Sequence, residues 1–325
     1  MKLMTFVAQN GQQHIGALQS NGTHVVDFTA ADAAPAFRDM LALIDGGPEA
    51  LAKAHALLAA AKVVHAVGAI KVLAPIPRPR RLRDYLCFEK HVRQSRANRY
   101  LFGQGTARLD PATIEIPKAW YQKPVYYKGN IFSVVGPETD VHWPKYSQTI
   151  DYELEIAIVT SRQGKDVPKG SGLQYVFGYM VFNDFSARDA QYIEMQTGLG
   201  PAKGKDFDTG NAMGPWLVTA DEIPNPQNLT MLARINGEEW SRGNTSEMQH
   251  TFDDMVTYGS ADETFYAGEV LGSGTVGGGC GNELGRFMKH GDVIELEVVG
   301  LGVLRNRIVA PHVLQPPAFP IRILG

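Results

Sequence analysis

Cysteine is nearly absent from this chain: Cys87 and Cys280 are the only two among 325 residues. Two thiols cannot build a disulfide framework, so the fold must rest on an apolar core instead of covalent cross-links. An excess of either charge is also missing. With 31 Lys+Arg against 34 Asp+Glu the formal charge is -3, which offers no basic field to nucleic acid or to an anionic membrane. No long apolar run is uninterrupted. The most apolar long stretch, 54–76, contains Lys62, His65 and Lys71, which rules against a membrane-spanning helix. The opening MKLMTFVAQNGQQ lacks the apolar centre of a secretion signal, and the expectation is a soluble cytoplasmic protein that deals with small solutes. There is no internal repeat and no low-complexity tract. Strands do not alternate with long helices, which disfavours a doubly wound sheet.

What is present is ample for folding. A 44% hydrophobic content in 325 residues suits one large domain and a small one. Residues 2–28 read as a small β meander with Asn-Gly turns at Asn10-Gly11 and Asn21-Gly22. From about residue 34 to 61 the pattern turns helical, rich in alanine and leucine, with a break at Gly46-Gly47-Pro48. The proline-rich run from Pro75 to Leu82 suits an extended connector. These features predict an amino-terminal β/α accessory domain over 1–77 and a second domain over 78–325. In the second, short β-branched segments bounded by Gly, Pro or Asn predict a mostly β, largely antiparallel α+β architecture.

The run Asp151-Tyr152-Glu153-Leu154-Glu155-Ile156-Ala157-Ile158-Val159 sets two carboxylates inside a β-forming stretch. On a strand Glu153 and Glu155 share one face, with Leu154, Ile156 and Ile158 between them. An isolated E-x-E is more often a wet edge strand. Two like charges on a partly buried face, however, need a proton or a cation between them, and a divalent ion serves. About thirty residues on, the apolar strand-like segment ending Asn183-Asp184 offers a third carboxylate, and Ser186-Ala187-Arg188-Asp189 reads as a capped helix start or tight turn. Oxygen-only ligation favours Mg²⁺ first, with Ca²⁺ or Mn²⁺ as alternatives, over zinc.

Three segments in this order, DYELEIAIV, GYMVFNDFSARDAQ and GKDFDTGNAMGPWLVT, resemble the core motifs of the fumarylacetoacetate hydrolase superfamily. INGEEWSRGNT, the glycine-rich 272–285 segment and GDVIELEVVGLGVLRNRIV extend the resemblance over roughly 80–325. It implies a fumarylacetoacetase-type mixed β-sandwich roll, a homodimer and a part in aromatic catabolism. It also implies a role for Asp84, seven residues before His91, as the fourth ligand beside Glu153, Glu155 and Asp184. His91 is then the general base and Glu283 its orienting partner; Gln94 stands where shorter members carry a glutamate, and Glu89 is a possible substitute. Lys205 takes the place of the family lysine beside the metal. Arg188, a further cation that offsets the acids, joins Gln191, Thr275 and Tyr127 among the expected substrate-binding residues.

The chain also departs from the larger members. Leu86 and Met195 replace tyrosines, and Tyr100, with Arg99 beside it, stands where an arginine is expected. The expectation is therefore that the substrate is fumarylacetoacetate-like without being fumarylacetoacetate itself, or that it is held differently. Gly272-x-Gly274-x-x-Gly277 matches a dinucleotide fingerprint literally, but the glycines that follow cannot open the helix such a site requires. The resemblance implies metal-dependent cleavage of a carbon-carbon bond in a 2,4-dioxo acid such as an acylpyruvate. In that reaction His91 with Glu283 activates water and the metal stabilises the enolate. Decarboxylases, hydratases and isomerases of 2-oxo acids are alternatives from the same superfamily. A metal-binding or dioxo-acid-binding protein without catalysis is another.

Overall fold

A computed structural model describes residues 1–310; the last fifteen residues of the expected second domain lie outside them. The amino-terminal meander forms as its turns dictate. Lys2–Val7, Gln13–Leu18 and His24–Asp27 pair antiparallel, and Gly11 and Gly22 sit at the positive φ values of 78° and 71° that the turns require. Asn10 and Asn21 accept hydrogen bonds from the backbone two residues on, closing each turn. Met40–Asp45 and Gly47–Ala60 are helical and separated at Gly46, where the glycine pair interrupts the pattern.

These strands do not stand apart. Lys2–Val7 pairs antiparallel with Asn211–Thr219, so the meander continues a 12-stranded sheet. Its main path then runs through Val176–Asp184, Leu154–Thr160, Val270–Gly272, Leu82–Tyr85 and Tyr126–Lys128. A second, five-stranded sheet contains Glu238–Asn244, Thr230–Ile235, Val293–Val298, Gly302–Val309 and Asp140–His142 in that order. Pairing is mostly antiparallel, as expected. Parallel contacts join Leu82–Tyr85 to Val270–Gly272, Val134–Val135 to Asn211–Thr219, and Asp140–His142 to Gly302–Val309.

The central strands are buried on both faces, which is why they read as nearly continuous apolar runs. Leu154, Ile156 and Ile158 join one core with Met231, Ala233, Leu296 and Ile308 of the smaller sheet. Ala157 and Val159 point the other way, into a core closed by Phe28, Leu43, Ile44 and Ala54. The result is a mixed, sheet-rich α+β fold in which two sheets pack face to face, with helices over the outer face of the larger one. Among the described residues no helix is long and apolar enough to cross a membrane.

Candidate active site

Period two along Leu154–Thr160 puts Glu153 and Glu155 on the face of Ala157 and Val159, at the end where the strand enters from its loop. Asp184 closes the neighbouring strand, and its residue Asn183 pairs with Leu154. Asp84 arrives from farther off, opposite Gly272 in the parallel pair. That approach is close: a Cβ on Gly272 would lie 2.4 Å from the Asp84 carboxylate, so only glycine fits. One oxygen from each of Asp84, Glu153, Glu155 and Asp184 lies within 4.8 Å of the others, and all four residues are buried.

Fixed cations brace the cluster. The Lys205 ammonium donates to Glu153 Oε2 at 2.7 Å and to Asp184 Oδ2 at 2.5 Å. Arg188 reaches Glu153 Oε1 at 2.7 Å and Asp151 Oδ2 at 2.8 Å, and also donates to Gln191 Oε1 at 2.9 Å. The Tyr127 hydroxyl donates to Asp184 Oδ2 at 2.7 Å. The Gly274 amide donates to Glu155 at 3.1 Å and Asp84 at 3.2 Å, while Thr275 Oγ1 lies 3.4 Å from Glu155.

The charges remain unbalanced. Burial pushes the Asp84 and Glu155 carboxyls well above the usual carboxylate range, and the other acids of the cluster push the same way. Burial likewise lifts Asp184 to about 6 against the pull of Lys205. Burial acts on Glu153 as well, but Lys205 and Arg188 outweigh it and hold that carboxyl below its ordinary value. Asp184 Oδ1 is buried and has no hydrogen-bond partner. An orphaned carboxylate oxygen inside an all-oxygen donor set is what a hard divalent cation would satisfy, and these residues fit one.

His91 lies in the helix Glu89–Ala97, whose packing brings it to the same cavity. Its Nδ1 is 2.8 Å from Glu283 Oε1. Since a carboxylate can only accept, Nδ1 carries the proton and Nε2 is left as the free acceptor of the neutral ring. Glu283 belongs to the short helix Gly281–Leu284 and is fixed by the Gly278 amide at 2.7 Å and the Gly279 amide at 3.2 Å. Glu89 instead accepts from Arg93 at 2.7 Å, so it is not the histidine's partner. The glycine-rich segment runs from Val270–Gly272 into this four-residue helix.

All eleven residues expected from the sequence meet at one place. Asp84, Glu153, Glu155, His91, Lys205, Arg188, Gln191, Thr275 and Tyr127 line a cavity of about 1100 Å³; Asp184 and Glu283 stand directly behind it. Leu86, Met195 and Arg99 line it too. Sequence reasoning missed the groups that hold these in place. Asp151 is buried and accepts from Arg188, from the Gly281 amide at 2.7 Å and from the Asn282 amide at 2.9 Å. Asn98 Nδ2 donates to the Asn282 carbonyl at 2.7 Å and the Glu283 carbonyl at 2.9 Å, and Asn183 Oδ1 accepts from the Glu153 amide at 2.9 Å. Strand alternation carried one usable signal: Asp151 shares the 151-153-155 face with the two glutamates. The helix after Asp184 does start at Arg188, but its cap residue is Ala187, whose methyl group cannot accept a hydrogen bond, and the Ser186 hydroxyl donates to the Asp184 carbonyl at 3.2 Å.

The chain is similar along nearly its whole length to characterised sequences. Human oxaloacetate tautomerase FAHD2A, mitochondrial, is 31% identical over 302 residues, which span 91% of this chain and 87% of that protein. The solved fumarylacetoacetate hydrolase of psychrophilic Exiguobacterium antarcticum superposes with a TM-score of 0.74 at 27% identity, covering 95% of this chain and 99% of that one. A probable 2-hydroxyhepta-2,4-diene-1,7-dioate isomerase from Mycobacterium abscessus gives a TM-score of 0.71 at 25% identity, covering 95% and 99%. Residues 81–309, which hold every side chain of the cluster and of the histidine-glutamate pair, match the family described as fumarylacetoacetate (FAA) hydrolase C-terminal. On that match and this site, the chain belongs to the fumarylacetoacetate hydrolase family.

Proposed function

We propose that the protein is a divalent-metal-dependent hydrolase that cleaves a carbon-carbon bond in a 2,4-dioxo acid of the acylpyruvate type. The observation that carries this reading is the His91–Glu283 pair at 2.8 Å, with His91 opening on the same cavity as Asp84, Glu153 and Glu155. Asp84, Glu153, Glu155 and Asp184 would hold the ion, Mg²⁺ first among the candidates, which when bound supplies Lewis-acid polarisation of the substrate's oxygens and charge for an enolate. His91 Nε2 takes a proton from water while the hydroxide adds to the 4-carbonyl carbon. Glu283 steadies the imidazolium that results. The bond between carbons 3 and 4 then breaks, releasing a carboxylic acid and the enolate of pyruvate, and the imidazolium returns its proton to carbon 3. Arg188, whose Nη2 is unpartnered, would hydrogen-bond the developing negative charge, and the Lys205 ammonium would stabilise it through space. Gln191 and Thr275 orient the acid head.

A second reading is favoured by the names of the relatives, several of which are oxaloacetate tautomerases matched over nine-tenths of this chain. There the same His91 would shuttle a proton between carbon and the enol oxygen without breaking the chain of carbons. Acylpyruvates and oxaloacetate assayed side by side, with and without Mg²⁺ or Mn²⁺, separate the two. Pyruvate plus a second acid marks hydrolysis, decay of the enol absorbance with no new acid marks tautomerisation, and carbon dioxide marks decarboxylation. Tight binding of a dioxo acid with no turnover of any compound would refute catalysis and leave a binding protein. A cytoplasmic homodimer, and the division near residue 77 into an accessory and a catalytic part, belong to the same proposal.

A further inference from the structure

The histidine-glutamate pair has a third neighbour of different chemistry. Cys280 immediately precedes the helix Gly281–Leu284 and is fully buried, with its Sγ 3.4 Å from Glu283 Oε1, the same oxygen that meets His91 Nδ1 at 2.8 Å. One ligand atom from each of His91, Cys280 and Glu283 lies within 4.8 Å of the other two. A tetrahedral ion with nitrogen and oxygen at about 2.1 Å and sulfur at about 2.3 Å keeps its ligands roughly 3.3–3.6 Å apart, so small movements would seat one between them. The carboxylate side is already fixed. The Gly278 and Gly279 amides hold the Glu283 oxygens, and Asn98 holds the backbone carbonyls of Asn282 and Glu283. This donor set differs in kind from the four carboxylates: imidazole, thiolate and one carboxylate suit a borderline or soft cation, whereas the all-oxygen cluster suits a hard one.

We propose that His91, Cys280 and Glu283 form a second cation site, selective for zinc-like ions, which shuts the enzyme down when filled. The arrest rests on the function proposed above; the binding does not. On binding, the Cys280 thiol releases its proton to solvent as the sulfur bonds the ion, and the His91 proton moves from Nδ1 to Nε2 as Nδ1 bonds it. One thiolate and one carboxylate balance the double charge, which leaves a neutral centre in a buried place. Nε2 then carries a proton and cannot take one from water. His91 lines the cavity and gives the ion its way in.

The test adds Cd²⁺, a stand-in for zinc whose bond to a thiolate absorbs in the ultraviolet, to enzyme saturated with Mg²⁺. Cys87 and Cys280 are the only thiols, so the band has two candidate sources. A single equivalent of Cd²⁺ should raise the band and abolish turnover in step, in the wild type and in C87A alike, and excess Mg²⁺ should reverse neither. C280A should lose the band, keep its Mg²⁺-supported turnover and need at least about 10-fold more Cd²⁺ for inhibition, the least that losing a partner of a metal centre costs. A band that is absent from the wild type, or that survives in C280A, overturns the site. So does inhibition that is equal in C280A and wild type or is reversed by Mg²⁺, which places the ion among the four carboxylates. C280S repeats the comparison if C280A does not fold. If no dioxo acid is turned over, the function proposed above has failed, and the band with its stoichiometry decides the site alone.

Discussion

Replacing Glu283 by glutamine keeps the shape of the side chain and removes its charge, which isolates what the carboxylate does for His91. In the native site Oε1 accepts from His91 Nδ1 at 2.8 Å while the Gly278 and Gly279 amides, at 2.7 and 3.2 Å, donate to the same carboxylate. Every neighbour is a donor. A glutamine brings two N–H groups into this ring of donors, so one contact must be lost whichever way the amide turns. If the carbonyl takes the place of Oε2, on the Gly278 amide, the NH₂ meets the Gly279 amide and His91 and forces the proton to Nε2, the atom that must accept. If it stays on His91, the half-buried Gly278 amide loses its partner. Hydrogen bonds to a charged group contribute about 1.5–3 kcal/mol, or roughly 10- to 100-fold in rate at ~1.4 kcal/mol per decade. A wrong tautomer in an analogous acid-base pair costs up to ~10⁴. The expectation for E283Q is thus a fall in kcat/KM of at least about 100-fold, carried by kcat, with thermal midpoint and Mg²⁺ affinity near wild type. Steady-state kinetics on an acylpyruvate measure it, and E89Q is the control, since Glu89 serves Arg93. Activity in E283Q within about threefold of wild type would refute the assignment of the base and its partner.

Three other perturbations probe the rest of the site. E153Q removes a ligand that Lys205 and Arg188 both hold, and should abolish metal-dependent turnover and weaken Mg²⁺ binding measured by calorimetry; full activity would remove the cluster's role. In chelator, the folded protein holds Asp184 at about 6 against an ordinary 3.8, with Asp84 and Glu155 displaced the same way by burial. At these three carboxyls the native state then binds protons more tightly than the unfolded chain, so the stability they contribute should be greatest below about pH 4 and fall as pH rises through about 6, Glu153 working the other way, and Mg²⁺ should flatten that fall. Urea midpoints across this range, with and without Mg²⁺, check it, and a chelated protein whose stability rises over the interval contradicts it. D151N breaks a buried ion pair with Arg188 and should destabilise the fold by about 3 kcal/mol in urea, a loss below 1 kcal/mol being the contrary result.

The legible parts of the site were those with a short-range rule behind them. Glu153 and Glu155 follow from the two-residue repeat of a strand, and the Asn-Gly turns follow from the φ values that few residues adopt. Asp84 and Glu283 obey no such rule. Their partners lie far along the chain, 192 residues away for the pair His91 and Glu283, and only resemblance to a family pointed to them. Asp151, Asn98 and Asn183 escaped notice for a different reason. They bind backbone groups whose positions exist only after the loops have folded, so their residue types look like ordinary polar choices. The pairing of the amino-terminal meander with Asn211–Thr219 was hidden likewise, since edge-to-edge register leaves no mark in composition.

The four acids come from positions 84, 153, 155 and 184, and Asp84 joins the others only once its strand lies beside Val270–Gly272. A nascent chain that ends before residue 272 contains all four acids and still lacks the strand that seats Asp84 among them. An ion bound by the set would therefore be captured only as a terminal event of maturation, and at 100 times its Kd would add about 2.7 kcal/mol to the finished fold while giving nothing to its precursors. Such a chelate would act as a latch on tertiary completeness, so on the proposed function scarcity of the ion should shorten the protein's lifetime as well as silence it.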